Sequence, residues 1–276
     1  MMGQLVMILL AAAIGAYLLL SVLLGAAALS GRENLKRILA HGIWAAVALH
    51  TALLIVRWID SGHFPIANTF ETMMLFSWLL AATYAVMQTI LKNYSLGMFV
   101  SPLAVLGLCF AFLTTNKAPG LVPILDSNWL YFHVPLAFAS YAFFTLAFVA
   151  ALAYFLKEYF LKAKRGPTRL KLPALEWLDT MSYRLVSMGF PLLTIAIVTG
   201  AIWNMNVADS FWTWGPKQTW SLILWIVYGL YLHTRAVRGM RGRGTNMVLC
   251  LGFLVMLITF FGVNFLSGDM HGTFFK

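Results

Sequence analysis

Six histidines carry most of the reactive chemistry in this 276-residue chain: His41, His50, His63, His133, His233 and His271. A neutral imidazole nitrogen is a good axial ligand for haem iron, and two of them complete an octahedral site. His133 follows Trp129, Tyr131 and Phe132, and His271 lies near the end of the sequence, so any meeting of the two is left to the fold. His233 stands near the end of an apolar run, before Thr234 and Arg235. An ionisable side chain in such a run is costly and is a functional candidate by default. His41 and His50 are nine residues apart, and nine helical steps of about 100° set them on opposite faces of one helix. Taken singly, each histidine reads first as a polar or interfacial contact, with His50 and His63 assigned to structure. Spacing alone defines no metal site.

The segment between residues 201 and 220, AIWNMNVADSFWTWGPKQTW, makes ligand chemistry more specific. It holds Trp203, Trp212, Trp214 and Trp220 within 18 residues. Tryptophan prefers the membrane–water interface, but an interfacial belt needs only one or two rings per span end. Four indoles so close together fit a platform for a large flat apolar ligand. Gly215-Pro216 is placed to turn the chain before the next helix, and Lys217 reads as a surface charge.

Positioning these groups falls to a membrane. The chain is 61% hydrophobic and 10% charged, against about half and about a quarter for a soluble domain. Eight segments have the roughly 20 apolar residues needed to span a bilayer: about 4–30, 38–58, 69–91, 95–115, 132–156, 185–205, 219–237 and 245–266. The first has no basic residue before it and is too long for a signal peptide, so it reads as a span. The expectation is an all-α, polytopic membrane bundle of about eight helices, a single domain over residues 1–276.

The net charge of +10 is distributed as an orientation signal rather than as a nucleic-acid surface. Linkers near 31–37, 92–94, 157–184 and 235–244 hold 15 Lys and Arg, while Arg57, Lys117, Lys217 and Lys276 make 4 on the other side. The positive-inside rule then places both termini outside the cytoplasm, with His133, His271 and the tryptophan segment on that outer face. Within the long inner linker, Pro173 to Tyr183 is expected to form a short surface helix. Cys109 and Cys250 lie in apolar runs without CxxC spacing and read as packing.

The stretch Trp212-Thr-Trp-Gly-Pro-Lys-Gln-Thr-Trp220, continuing to Leu232-His233-Thr234-Arg235, resembles the haem-handling membrane proteins of cytochrome c biogenesis, most closely the CcsA/ResC group (CcsB in some bacteria). Gly62-His63-Phe64-Pro65 with Asn68 and Glu71, Trp129 with His133 and Ser140-Tyr141, Gly200-Ala201-Ile202-Trp203, and Gly262-Val263-Asn264 before His271 carry the likeness over most of the chain. The resemblance implies that His133 and His271 are external axial ligands of haem b, and that Trp203, Trp212, Trp214 and Trp220 cradle the macrocycle. It implies that His233 is a membrane-embedded histidine assisting haem entry, its opposite ligand coming from this chain or from a ResB-type membrane partner. It further implies apocytochrome c as recipient and a bacterial inner membrane as location. The family segment usually reads WxWDPKETW; Gly215 and Gln218 replace its two acids, and Ala208-Asp209 replaces an upstream Trp-Gly pair. These departures leave a second expectation, a HemX-like regulatory or scaffolding protein linked to haem synthesis.

Overall fold

Backbone N–H and C=O groups in lipid have no water to bond, so each apolar run must satisfy them internally as a helix. The computed structural model describes residues 2–114, 127–163 and 170–262, and among these every regular element is helical. In order they are α1 (Met2–Ser30), α2 (Glu33–Ser61), α3 (Thr69–Leu91), α4 (Gly97–Leu113), α5 (Asn128–Lys162), α6 (Leu175–Ala208), α7 (Pro216–Arg238) and α8 (Arg243–Leu257). A π-helical turn, Ile258–Gly262, continues α8.

Six of the eight are long and apolar enough to cross a membrane. The other two are α4, a 17-residue apolar helix, and α7, which is 23 residues long but diluted by Lys217, Gln218, His233 and Arg235. At about 1.5 Å per residue α4 reaches only about 26 Å, just short of the ~30 Å hydrocarbon core.

The expected surface helix at 173–183 is corrected. Those residues lead into α6, which starts at Leu175 after the N-cap Ala174 and runs unbroken to Ala208. Its amphipathic face packs on protein rather than on lipid headgroups: Leu178, Met181, Ser182 and Leu185 are all buried.

Helices α1 to α4 form one group, in which α1 and α3 each pack on α2 and α4. Helices α5 to α8 form another, in which α5 and α7 each pack on α6 and α8. Contact between α3 and α5 joins them.

A buried ion pair ties α2 to α3 where one ends and the other begins. Arg57 Nε and Nη2 donate to Glu71 Oε1 at 3.0 and 2.8 Å. The other carboxylate oxygen accepts the Ala67 N–H at 2.8 Å, and the Asn68 side chain accepts the Glu71 N–H at 2.9 Å as the cap of α3. Gly62 makes the preceding turn in the left-handed region at φ 74°, where a Cβ is unfavourable. Removing one partner of a buried pair strands the other charge and costs about 3–5 kcal/mol. Glu71→Ala is therefore expected to lower the thermal midpoint of the purified protein in detergent clearly, with Glu71→Gln milder. An unchanged midpoint in Glu71→Ala would show that the pair contributes no net stability.

Candidate functional site

His133 sits on the second turn of α5 with its ring against α6. Its Nδ1 lies 2.7 Å from the carbonyl oxygen of Ala196. A carbonyl only accepts, so the ring carries its proton on Nδ1 and keeps the Nε2 lone pair available. A second-shell bond of this kind is how proteins orient a histidine toward a metal. The Thr199 hydroxyl donates to the same carbonyl at 3.0 Å.

The close approach depends on Gly200, one helical turn beyond Ala196. A Cβ there would lie 2.7 Å from His133 Cε1 and 2.9 Å from Nδ1, inside any tolerable contact. Gly200 belongs to the Gly200-Ala201-Ile202-Trp203 motif, whose spacing does not report this contact across the helix crossing.

Two small cavities, of about 70 and 60 Å³, flank the imidazole. The first is walled by Trp203 and Asn204 of α6, Trp212 of the following loop, and Lys217, Gln218 and Ser221 of α7. The second lies between Thr72 of α3, Phe138 and Tyr141 of α5, and Phe260 of the π-helical turn. Sites that enclose drug-sized ligands run to about 300–1,000 Å³, so these cavities cannot surround a macrocycle as they stand. The residues suit a haem in donor chemistry, not in enclosed volume.

The four tryptophans divide. Trp203 is buried and Trp212 half-buried, and both reach the cleft. The Trp212 indole N–H is shielded from solvent and has no hydrogen-bond partner among the described residues. Trp214 is 69% exposed and meets Trp212 edge-on at 5.8 Å. Trp220 lines neither cavity; its backbone carbonyl accepts from the Thr259 hydroxyl at 3.3 Å.

The loop that carries Trp212 is held at both ends. Asn204 Nδ2 donates to the Ser210 carbonyl at 2.6 Å. Gln218 Oε1 accepts from the Thr213 N–H at 2.8 Å and from its hydroxyl at 3.0 Å. A carboxylate oxygen could accept both, so Gln218 differs from the family glutamate in charge but not in its grip on the loop. Gly215 is the N-cap of α7, ahead of Pro216 at the first helical position. Aspartate is a good N-cap, and glycine in its place costs only a few tenths of a kcal/mol.

The reading of Lys217 as a surface charge is corrected. It lines both cavities, its Nζ donates to the Thr259 carbonyl at 3.1 Å, and it stands 5.4 Å from the centre of the Phe260 ring. A cation in a tryptophan-rich outer segment reads as solvated; only the end of α8, folding back over α7, reveals otherwise.

His271 lies outside the described residues. The last described residue, Gly262, is nine positions earlier and closes the turn that lines the cleft through Phe260.

His233 is exposed near the other end of α7, sixteen residues beyond Lys217 and so about 24 Å along the helix. That end is fastened by Asp179 of α6. Arg235 Nη1 donates to its Oδ2 at 2.6 Å, while the Gly242 N–H and Asn246 Nδ2 donate to Oδ1, each at 3.0 Å. The remaining histidines do not join either region. His41 is exposed and His50 fully buried on opposite faces of α2, and His63 Nδ1 is 3.0 Å from the Phe64 carbonyl. Among the described residues no group of three His, Cys, Asp or Glu could hold a metal, and Cys109 and Cys250 are free thiols.

A bundle of eight helices among the described residues, with His133 sharing a cleft with Trp203 and Trp212 near one end and His233 exposed near the opposite end of α7, defines a multi-pass helical membrane protein. The family model for the cytochrome C assembly protein matches residues 66–271, and the chain belongs to that family. The cytochrome c biogenesis protein CcsA of Chlamydomonas reinhardtii is 36% identical, over 86% of this chain and 69% of its own length. CcsA of Mesostigma viride is 32% identical over 93% of each chain, and CcsA of Gloeobacter violaceus is 31% identical over 94% and 93%. Among solved structures, the cytochrome c haem lyase CcmF superposes with a TM-score of 0.71 at 15% identity, covering 94% of this chain. The chain spans 46% of that protein's length, and the likeness is one of fold.

Proposed function

We propose that this protein is the membrane subunit that holds haem b at the outer face and presents it to apocytochrome c. The observation that carries the reading is the His133–Ala196 hydrogen bond, which fixes the tautomer whose Nε2 can ligate iron. His271, which lies outside the described residues, would be the second histidine to hold the iron, as the family resemblance implies. Haem supplies the vinyl groups to which the thiols of an apocytochrome add. The chain's own residues position and shield: His133 anchors, Trp203 and Trp212 offer apolar faces, and Trp214 stands at the exposed rim.

His233 serves a separate step. Its exposure on α7 fits an imidazole awaiting a counterpart from a ResB-type membrane partner. The basic linkers orient that end toward the cytoplasm, with both termini outside, in a bacterial inner membrane. His233→Ala is expected to lower haem at the outer site about tenfold or more when haem comes from the cell's own synthesis, since even outer-shell changes at metal sites cost about 10–100-fold. Equal haem content in the variant would remove His233 from the route.

The reading as a whole is tested by the absorption spectrum of the protein purified with its membrane partner. Haem with two-histidine ligation is expected. A colourless preparation would overturn it and favour the regulatory alternative.

A further inference from the structure

The bundle carries a second, larger cleft that the haem reading does not use. It has a volume of about 560 Å³ and lies between α3, α5 and α6, and no histidine lines it. Its walls include Trp78, Val86 and Leu91 of α3, Phe143 of α5, and Met188 of α6; its one charged residue is Arg184. Val86 is 46% exposed and Met188 56%, so the cleft opens sideways toward lipid rather than into water.

Three observations decide what fits. First, the cleft follows α3 from Trp78 to Leu91, thirteen residues or about 20 Å, comparable with one leaflet and well short of the ~30 Å core that a partner helix would cover. Second, its deep end is apolar, because the Trp78 indole N–H is turned away to donate to the Thr51 hydroxyl at 2.8 Å. Third, the exposed Arg184 side chain lines the same cleft from α6, between Met181 and Leu185. Arg184 makes no hydrogen bond or ion pair among the described residues. A long arginine side chain on a membrane helix often reaches only for bulk headgroups. Here it lines a preformed groove between helices, and basic pockets of that kind hold anionic headgroups.

We propose that this groove is a binding site for one anionic phospholipid of the leaflet at the basic end of the bundle. An acyl chain lies along α3 toward Trp78, and the phosphodiester pairs with Arg184. The bound lipid fills the seam between the two helix groups, which otherwise meet chiefly through α3 and α5.

The test is native mass spectrometry of the full chain released from detergent and titrated with phosphatidylglycerol or phosphatidylcholine. Wild-type protein is expected to retain one phosphatidylglycerol in preference to phosphatidylcholine. Arg184→Gln should weaken that retention about fivefold, as one cation near the surface contributes about 1 kcal/mol. Ala82→Phe, which fills the groove without touching its charge, should abolish retention of both lipids. Free inorganic phosphate should not compete. Equal retention by wild type and both variants would overturn the proposal, as would retention of phosphatidylglycerol and phosphatidylcholine alike by the wild type.

Discussion

Replacing His133 by alanine is expected to remove haem from the outer site and to reduce cytochrome c maturation at least about 100-fold. The basis is the proposed direct ligation: loss of a second-shell partner alone costs a metal site about 10–100-fold, and we propose His133 as the ligand itself. The helix should tolerate the change, because alanine is the best helix former and the vacated volume adjoins existing cavities. Added imidazole should therefore restore the two-nitrogen spectrum and part of the activity. Measuring haem content with and without imidazole separates a lost ligand from a lost fold. Protein that stays monodisperse with full haem content in the alanine variant would exclude His133 as a ligand.

The second large effect is expected at Gly200, which touches no ligand. Valine there would place branched carbon where the His133 ring now lies, since even a single Cβ comes within 2.7 Å of it. The ring cannot yield without losing its bond to the Ala196 carbonyl. Misplacement of a reacting group by about 1 Å can cost about 100-fold, and a loss of that order is expected in maturation, with alanine at this position intermediate. Haem content should fall with it, while Gly229→Val, whose nearest side-chain atoms are 3.5 Å away in the Phe190 ring, should have little effect. Wild-type haem content in Gly200→Val would mean that the ring is free to sit elsewhere.

Much of the architecture was legible from composition because lipid leaves the backbone so few choices. Every apolar run of sufficient length had to become a helix, and the positions of the runs survive in α1 to α8. What failed was the amphipathic stretch ahead of span six, where the pattern of buried residues is the same whether the apolar face meets headgroups or protein. The anchor that decides it, Asp179 bonded to Arg235 and Asn246, joins residues 56 and 67 positions apart. At the site, the residue types were legible and their division of labour was not. Trp203 and Trp212 share a cleft with His133 while Trp214 points outward, a distinction set by a loop turn that includes φ 55° at Trp214. Lys217 and Gly200 were opaque for a related reason. Each acts across a helix crossing, one against the turn after α8 and the other against α5, and no spacing within its own helix reports on that neighbour.

A structure of the haem-loaded protein with the proposed ResB-type partner tests the central claim most directly. We expect the iron within coordination distance of His133 Nε2 and of His271 on its other face, with the indoles of Trp203 and Trp212 alongside the ring. Haem bound elsewhere, with His133 Nε2 turned away from the metal, would contradict the assignment.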